Sequence, residues 1–160
     1  MKLIAISPSY RSLFYWRTDN FWLDFFAKKE TNLYFVTPSK EVEPGLVFYH
    51  GYSTIINAKH IGKDCQIWHN VTIGKKSTAP INDKPTIGDN CSICTGAIVV
   101  GDISIGNNTI IGANATVVKD VPENCVVVNQ AVYSTPPFQT SDVYFLVNAC
   151  APFRRQNNRQ

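Results

Sequence analysis

Three histidines are the first candidates in this 160-residue chain for proton transfer near neutral pH. His50 follows Phe48 by two positions, and His69 follows Ile67 by two positions. This shared spacing predicts that the two imidazoles occupy equivalent places in the fold, where they bind a ligand or transfer a proton. His60 directly precedes an aliphatic residue, which is typical of a structural position.

Metal binding is the other chemistry that histidine and cysteine offer, and the spacing argues against it. A zinc site needs three or four protein ligands within tetrahedral reach. Cys91 and Cys94 have the C-x-x-C spacing, but no second such pair follows, and no close-spaced pair of histidines exists. We therefore predict no metal site and interpret Cys65 and Cys91 as core residues. The chain also lacks the G-x-S-x-G, P-loop and dinucleotide-binding fingerprints.

Composition narrows the class of protein further. The net charge is only +3 and no long basic run occurs, which argues against a nucleic-acid partner. No apolar run reaches the roughly 20 residues of a transmembrane helix, and the N-terminal apolar run is too short for a signal peptide. The chain has five cysteines, an odd number, and their spacing does not match that of a disulfide framework. Both features favour reduced thiols. We expect a cytoplasmic protein of one domain with modest extensions and no transmembrane segment.

A six-residue repeat organises the chain. Aliphatic residues recur at every sixth position in two runs, Ile61, Ile67 and Ile73, then Ile87, Ile93, Val99, Ile105, Ile111 and Val117. Glycine follows five of them at once, as expected if corners require backbone conformations that bulky residues avoid. A period of six predicts a solenoid whose coils each contain three short strands and three corners. The aliphatic residues then point inward, and His50 and His69 share one corner in successive coils.

Two interruptions of the repeat mark inserted residues. The count from Phe48 to Ile61 exceeds two repeats by one residue, and the count from Ile73 to Ile87 exceeds two repeats by two. Inserted residues must bulge out of a solenoid, so residues 75–85 are predicted to form a small external loop. Loops that project from a rigid scaffold often carry function.

The repeat also divides the chain into three regions. We predict an aromatic-rich cap over residues 1–41, a solenoid domain over 42–128 and an extension over 129–160. A short helix in the cap begins at Asp19 or Asn20. The cap is expected to cover the open end of the solenoid, where strand edges need protection, or alternatively to contact a membrane or a partner.

The stretch from Pro38 to Pro122 resembles the serine O-acetyltransferase branch of the hexapeptide-repeat acyltransferases and their relatives that acetylate sugars and exopolysaccharides. Four segments carry the resemblance: GLVFYH at 45–50, VTIG at 71–74, PTIGDN at 85–90 and IGANATVVKDVP at 111–122. The resemblance implies an all-β fold, a left-handed parallel β-helix, with short N-terminal and C-terminal extensions. It also implies a homotrimer with active sites between subunits and acetyl-CoA as co-substrate.

The same resemblance suggests roles residue by residue. His50 matches the catalytic histidine of the family and would act as the general base that takes a proton from the acceptor hydroxyl. The residues that would line the coenzyme A groove are Gly74, Lys75, Thr95, Gly96 and Ala113, with Lys119 near a coenzyme phosphate. By their place in the repeat, Thr95 and Ala113 continue the corner column of His50 and His69.

The acceptor side departs from the serine acetyltransferase pattern. Tyr49 replaces an aspartate directly before the catalytic histidine, and Phe35 replaces an orienting aspartate fifteen residues upstream of it. Asp83 and Lys84 replace an Arg-His pair in the loop. His50 therefore lacks its usual orienting partner. The candidates to replace that partner are Glu41, Glu43, His69 and a backbone carbonyl.

These departures predict a sugar or polysaccharide-precursor hydroxyl as acceptor. The aromatic faces of Tyr49 and Trp68 suit the apolar edges of a sugar ring, and Asp83 and Lys84 can hydrogen-bond to its hydroxyls. The predicted acceptor-binding residues are Tyr49, Trp68, His69, Asp83 and Lys84. Two alternatives are a serine O-acetyltransferase and a non-catalytic β-helix that serves binding or assembly.

Overall fold

A computed structural model describes residues 12–14, 16–17, 32–76, 83–128 and 131–134. Residues 12–14 and 16–17 are helical, and Ser39–Glu41 form one turn of 3-10 helix. No helix in this described part of the chain is long and apolar enough to cross a membrane.

Short strands make up the rest of the regular structure. They are β1 (Leu33–Phe35), β2 (Val47–Tyr49), β3 (Thr54–Ile56), β4 (His60–Ile61), β5 (Gln66–Trp68), β6 (Thr72–Gly74), β7 (Thr86–Ile87), β8 (Ser92–Ile93), β9 (Ile98–Val100), β10 (Ser104–Ile105), β11 (Ile110–Ile111), β12 (Thr116–Val117), β13 (Cys125–Val128) and β14 (Ala131–Ser134).

Three sheets form the faces of a prism. Sheet A contains β1, β3, β6, β9 and β12, and sheet B contains β4, β7 and β10. Sheet C contains β2, β5, β8, β11 and β13 in parallel, with β14 antiparallel at its edge. The chain visits A, B and C in turn, so neighbouring strands of one sheet belong to successive coils about 4.8 Å apart. The corners are named A/B, B/C and C/A after the sheets that they join.

The inward column of sheet C shows how the repeat builds the core. The strand register aligns Phe48, Ile67, Ile93, Ile111 and Val127 in successive coils. All five side chains are buried, and each contributes roughly 1.5–3 kcal/mol through burial. The predicted inward columns are therefore confirmed, including the shared column of Ile93 and Ile111.

Asparagine and aspartate supply the left-handed backbone at the B/C corner. Asp64, Asn90, Asn108 and Asn124 have φ angles between 54° and 56°. Asn90 Nδ2 donates to Asn108 Oδ1 at 3.3 Å, and Asn108 Nδ2 donates to Asn124 Oδ1 at 3.0 Å. Short polar side chains tolerate this conformation, and here they also join one coil to the next.

The glycines that follow the aliphatic residues have a different purpose. A Cβ on Gly62 would lie 2.6 Å from the carbonyl carbon of Gly88, and one on Gly106 would lie 2.6 Å from Glu123 Cα. A Cβ on Gly88 would likewise lie 2.9 Å from Asn107 N, and none of Gly62, Gly88 and Gly106 has a positive φ angle. The expectation that they provide special corner conformations is wrong, because they are required by the close approach of the next coil.

Buried cysteines also link successive coils near the B/C corner. Cys65 Sγ donates to Gly88 O at 3.1 Å, and Cys91 Sγ donates to Gly106 O at 3.2 Å. The hydrogen bond with Cys91, together with burial, raises the pKa of the Cys65 thiol. Both are free thiols, as expected, whereas Cys94 is disulfide-bonded, so the expectation of reduced thiols is wrong at Cys94.

Aromatic rings pack at the N-terminal end of the prism. Trp16 stacks on Phe35, with ring centroids 4.5 Å apart, and Phe35 contacts Phe48 edge-on at 5.4 Å. Leu13 is buried in the same core. These contacts favour a cap over this end of the solenoid.

The strands also extend into the flanking regions. β1 comes from the segment 1–41 yet pairs with β3, and β14 comes from the segment 129–160 and pairs with β13. The domain boundaries themselves stay predictions. The helix predicted to begin at Asp19 or Asn20 lies outside the described residues.

Candidate active site

The first C/A corner is longer than the C/A corner of the next coil. The inward residues Phe48 and Ile56, on either side of it, are eight positions apart. Ile67 and Ile73, which flank the next C/A corner, are six positions apart. The first corner thus contains two additional residues.

Main-chain hydrogen bonds identify the additional residues. Equivalent bonds of 2.9–3.2 Å run from Asn70 N to Tyr52 O, from Gly96 N to His69 O and from Asn114 N to Thr95 O. The residues in equivalent positions are therefore Tyr52, His69, Thr95 and Ala113, which we call the C/A column. His50 and Gly51 are the insertion that precedes it. The prediction that His50 and His69 are equivalent is wrong, because Tyr52 takes that place.

The insertion gives His50 an unusual backbone. Its φ angle is 53°, and its side chain is exposed. Each of the other seven non-glycine residues with positive φ in the described part of the chain is asparagine, aspartate or serine. The N–H of Tyr52 donates to His50 O at 2.8 Å and closes a tight turn. A left-handed non-glycine residue costs roughly 1–3 kcal/mol, and such strain is concentrated at functional sites.

Three rings meet beside this turn. Tyr52 stacks on His69, with centroids 4.7 Å apart and an interplanar angle of 25°. The His50 ring approaches His69 edge-on, with centroids 6.3 Å apart and an angle of 72°. His69 Nδ1 is buried and has no hydrogen-bond partner among the described residues. The structure thus brings the two predicted histidines together, although not in equivalent positions.

A second aromatic stack lies next to the first. Tyr49 packs flat on Trp68, with centroids 4.7 Å apart. Trp68 is only 9% exposed, whereas Tyr49 is 36% exposed and Tyr52 is 46% exposed. The exposed aromatic faces at this corner therefore belong to the tyrosines. Sequence reasoning missed Tyr52, because a count across the C/A and A/B corners together gives only one extra residue and does not assign it to either corner.

The C/A column leaves main-chain donors available below the rings. The N–H of Gly96 is already bonded to His69 O. In contrast, the N–H groups of Thr95 and Ala113 have no hydrogen-bond partner within the described residues. Both side chains are small and half-buried. A narrow strip with two unpaired donors therefore continues down the corner from His50.

The other predicted site residues lie at the opposite edge of sheet A. They are Gly74, Lys75, Asp83, Lys84 and Lys119, near the A/B corner. The N–H of Lys76 donates to Asp83 Oδ2 at 3.2 Å, which joins the two ends of the predicted loop. Lys119 lines a cavity of about 370 Å³ at the last coil. A three-residue strand, roughly 10 Å long, separates this edge from the C/A column.

The acidic side chains are also distributed unevenly among the three corners. Every acidic residue in the described ranges lies at the A/B or the B/C corner, namely Glu41, Glu43, Asp64, Asp83, Asp89, Asp102, Asp120 and Glu123. Within the described ranges, no carboxylate therefore lies beside His50 at the C/A corner. The described residues also contain no cluster of three or more side chains suited to a metal ion.

Comparison with known proteins identifies the repeat. Residues 84–119 match the bacterial transferase hexapeptide family, over six repeats. The chain is also 39% identical over 95 residues to the serine acetyltransferase of Mycobacterium tuberculosis. This alignment covers 55% of this chain and 42% of that protein. It is 35% identical over 94 residues to the serine acetyltransferase of Synechococcus elongatus, and that alignment covers 58% of this chain and 38% of the relative.

A solved structure extends the likeness to three dimensions. The hexapeptide-repeat prism is similar to a serine acetyltransferase of Neisseria gonorrhoeae in complex with serine, with a TM-score of 0.51 and 31% identity. The likeness covers 61% of this chain and 40% of that one. The expected fold class, a left-handed parallel β-helix, is confirmed. The chain spans about two fifths of the length of these relatives.

Proposed function

We propose that this chain is an acetyl-CoA-dependent O-acetyltransferase with His50 as its general base. The observation that carries the proposal is the exposed, strained His50 at the head of a corner column with unpaired main-chain N–H groups. The identity with serine acetyltransferases supports the reaction class, although it covers only part of each relative.

The chemistry follows from the weak nucleophilicity of a hydroxyl group. His50 takes the hydroxyl proton while the oxygen attacks the thioester carbonyl, and a main-chain N–H stabilises the resulting oxyanion. Collapse of this intermediate breaks the carbon–sulfur bond, and the protonated imidazole returns its proton to the departing thiolate. Coenzyme A and the acetyl ester are the products, and no covalent enzyme intermediate forms.

The C/A column suits the amide-containing arm of the coenzyme. The unpaired N–H groups of Thr95 and Ala113 are hydrogen-bond donors for its carbonyl groups. Gly96 contributes space rather than a donor, because its N–H is bonded within the solenoid. Lys119 is exposed and offers a positive charge for a phosphate.

The relatives favour serine over the carbohydrate that the sequence predicted. The matched proteins are serine acetyltransferases, and one of them was solved with serine bound. Serine carries an ammonium group, which needs an acidic partner. Because the described residues place no carboxylate at the C/A corner, that partner would be Asp83 of a neighbouring chain. The exposed rings of Tyr49 and Tyr52 keep a sugar hydroxyl as the second candidate.

Assembly into a homotrimer would bring the two edges of sheet A together. The outward column of sheet A contains exposed apolar residues, Tyr34, Ile55 and Ile98. Contact along this face in a closed three-fold ring would place the A/B edge of one chain against the C/A column of the next. Each active site would then use His50 from one chain and Asp83 and Lys84 from another.

An acceptor assay tests the proposal. Purified protein is mixed with acetyl-CoA, and thiol release is followed with L-serine, with nucleotide sugars, with oligosaccharides and without acceptor. We expect serine-dependent release at a kcat/KM of roughly 10⁴ M⁻¹s⁻¹ or more. Release with a sugar alone would select the second candidate. A folded protein that releases no thiol under any of these conditions would favour the non-catalytic alternative.

A further inference from the structure

An imidazole base works best when an orienting group holds it. One ring nitrogen takes the proton, and a hydrogen bond to the other nitrogen fixes the ring and its tautomer. Glu41 and Glu43 flank Val42, which belongs to the sheet B face opposite the C/A corner. Glu41 Oε1 lies 3.9 Å from Lys40 Nζ. Neither glutamate can therefore orient His50 of the same chain.

His69 is the polar ring that packs against His50. The contact is edge-on at 6.3 Å between centroids, whereas two imidazoles joined by a hydrogen bond of about 2.9 Å lie roughly 5 Å apart. A rotation of the exposed His50 side chain covers that difference, and such rotations take picoseconds to nanoseconds. His69 Nδ1 is buried without a partner in the described part of the chain, so a bond to it also removes an unsatisfied polar atom.

Tyr52 holds His69 in place for this contact. Its ring covers one face of His69 at 4.7 Å, and its carbonyl accepts from Asn70 N at 3.0 Å. The carbonyl of His69 in turn accepts from Gly96 N at 3.2 Å. Main-chain hydrogen bonds to both neighbouring coils thus hold the backbone at His69, and the Tyr52 ring packs against one face of its imidazole.

We propose that His69, held flat by Tyr52, positions the His50 imidazole for proton transfer. The proposal rests on the proposed function, since it assumes that His50 is the base. The Nδ1 lone pair of His69 accepts the second ring N–H of His50 when that ring becomes an imidazolium. Neither His69 nor Tyr52 touches the reacting atoms, so both act through His50.

Four single variants test the positioning. His69→Ala should lower kcat by roughly 10²-fold, a loss typical of a misplaced catalytic group, and leave the KM for acetyl-CoA unchanged. His69→Gln should recover most of kcat, because its amide oxygen can accept the same hydrogen bond. Tyr52→Phe keeps the ring that stacks on His69, so as the conservative variant it should keep a clearly higher kcat than Tyr52→Ala. Tyr52→Ala should lose roughly ten-fold in kcat at unchanged KM.

The double variant His50→Ala, His69→Ala decides whether His69 acts through His50. If it does, the double variant is no slower than His50→Ala alone, because the effects of residues that act as a unit are not additive. A multiplied loss in the double variant, or native kcat in His69→Ala, would overturn the positioning role. Equal loss in His69→Gln and His69→Ala would overturn it as well. Native turnover of His50→Ala would instead contradict the proposed function.

Discussion

The two edges of sheet A differ in chemistry although the same strands end at both. The C/A edge carries imidazole and tyrosine rings, unpaired main-chain N–H groups and no described acidic residue. The A/B edge carries the charged loop, with Asp83 bonded to the main chain of Lys76. A proton-transfer site needs the first set, and recognition of a charged substrate needs the second. This difference is the basis for the proposal that each chain provides two half-sites rather than one complete site.

The largest expected effect is at the C/A edge. His50→Asn removes the base but keeps a residue type that tolerates a left-handed backbone, so we expect a loss in kcat of roughly 10²–10⁴-fold. The melting temperature should stay the same or rise, because asparagine relieves the backbone strain. Steady-state kinetics measures the change in kcat, and thermal unfolding measures the change in melting temperature. A large drop in melting temperature would mean that His50 has a structural role.

Mixing two inactive variants tests whether the edges of different chains form one site. His50→Ala alters the C/A edge, and the double change Asp83→Ala, Lys84→Ala alters the A/B edge. In randomly mixed trimers, about a quarter of the shared sites combine two intact edges. Co-expressed chains with different tags should therefore recover about a quarter of native activity. No recovery in mixed oligomers of confirmed composition would place both edges in the same chain's site.

A charge on the face between the two edges should prevent assembly. Ile98 points outward from sheet A and is 39% exposed, so Ile98→Arg should leave the solenoid folded but separate the chains. Ser104→Arg, on the exposed face of sheet B, is the matched control. Light scattering should show monomers for the first variant and native assembly for the second. Intact assembly of both would exclude sheet A as the interface.

The smallest expected effect is at the A/B edge. Lys119→Ala removes an exposed positive charge, and exposed ion pairs contribute only about 0.2–1 kcal/mol. We expect the KM for acetyl-CoA to rise about two- to five-fold, with kcat unchanged. The effect should shrink as salt increases, because exposed charges are screened. A change in kcat would assign Lys119 a role other than phosphate binding.

The spacing of inward residues made the fold predictable. Each aliphatic residue of the repeat occupies an inward place on a strand, and Phe48, Ile67, Ile93 and Ile111 stand in one column as expected. Burial of these side chains dominates the free energy of folding, so a sequence that repeats them specifies the coils. The glycines were predicted for the wrong reason, because the approach of a neighbouring coil cannot be read from one segment.

The position of His50 was not predictable by the same count. The first C/A corner gains two residues between Phe48 and Ile56, and the following A/B corner loses one before Ile61. A count across both corners shows a single extra residue and cannot assign it. The hydrogen bond from Asn70 N to Tyr52 O settles the register.

The sequence by itself determined the solenoid, its inward columns and the candidate histidines, because these depend on residue type and on spacing along one strand. Only the tertiary structure decided which side chains meet at a corner. Hydrogen bonds between coils set the length of each corner, and this places Tyr52 rather than His50 on His69. The same geometry divides the predicted site between two edges of sheet A, because a strand separates positions that are close in sequence.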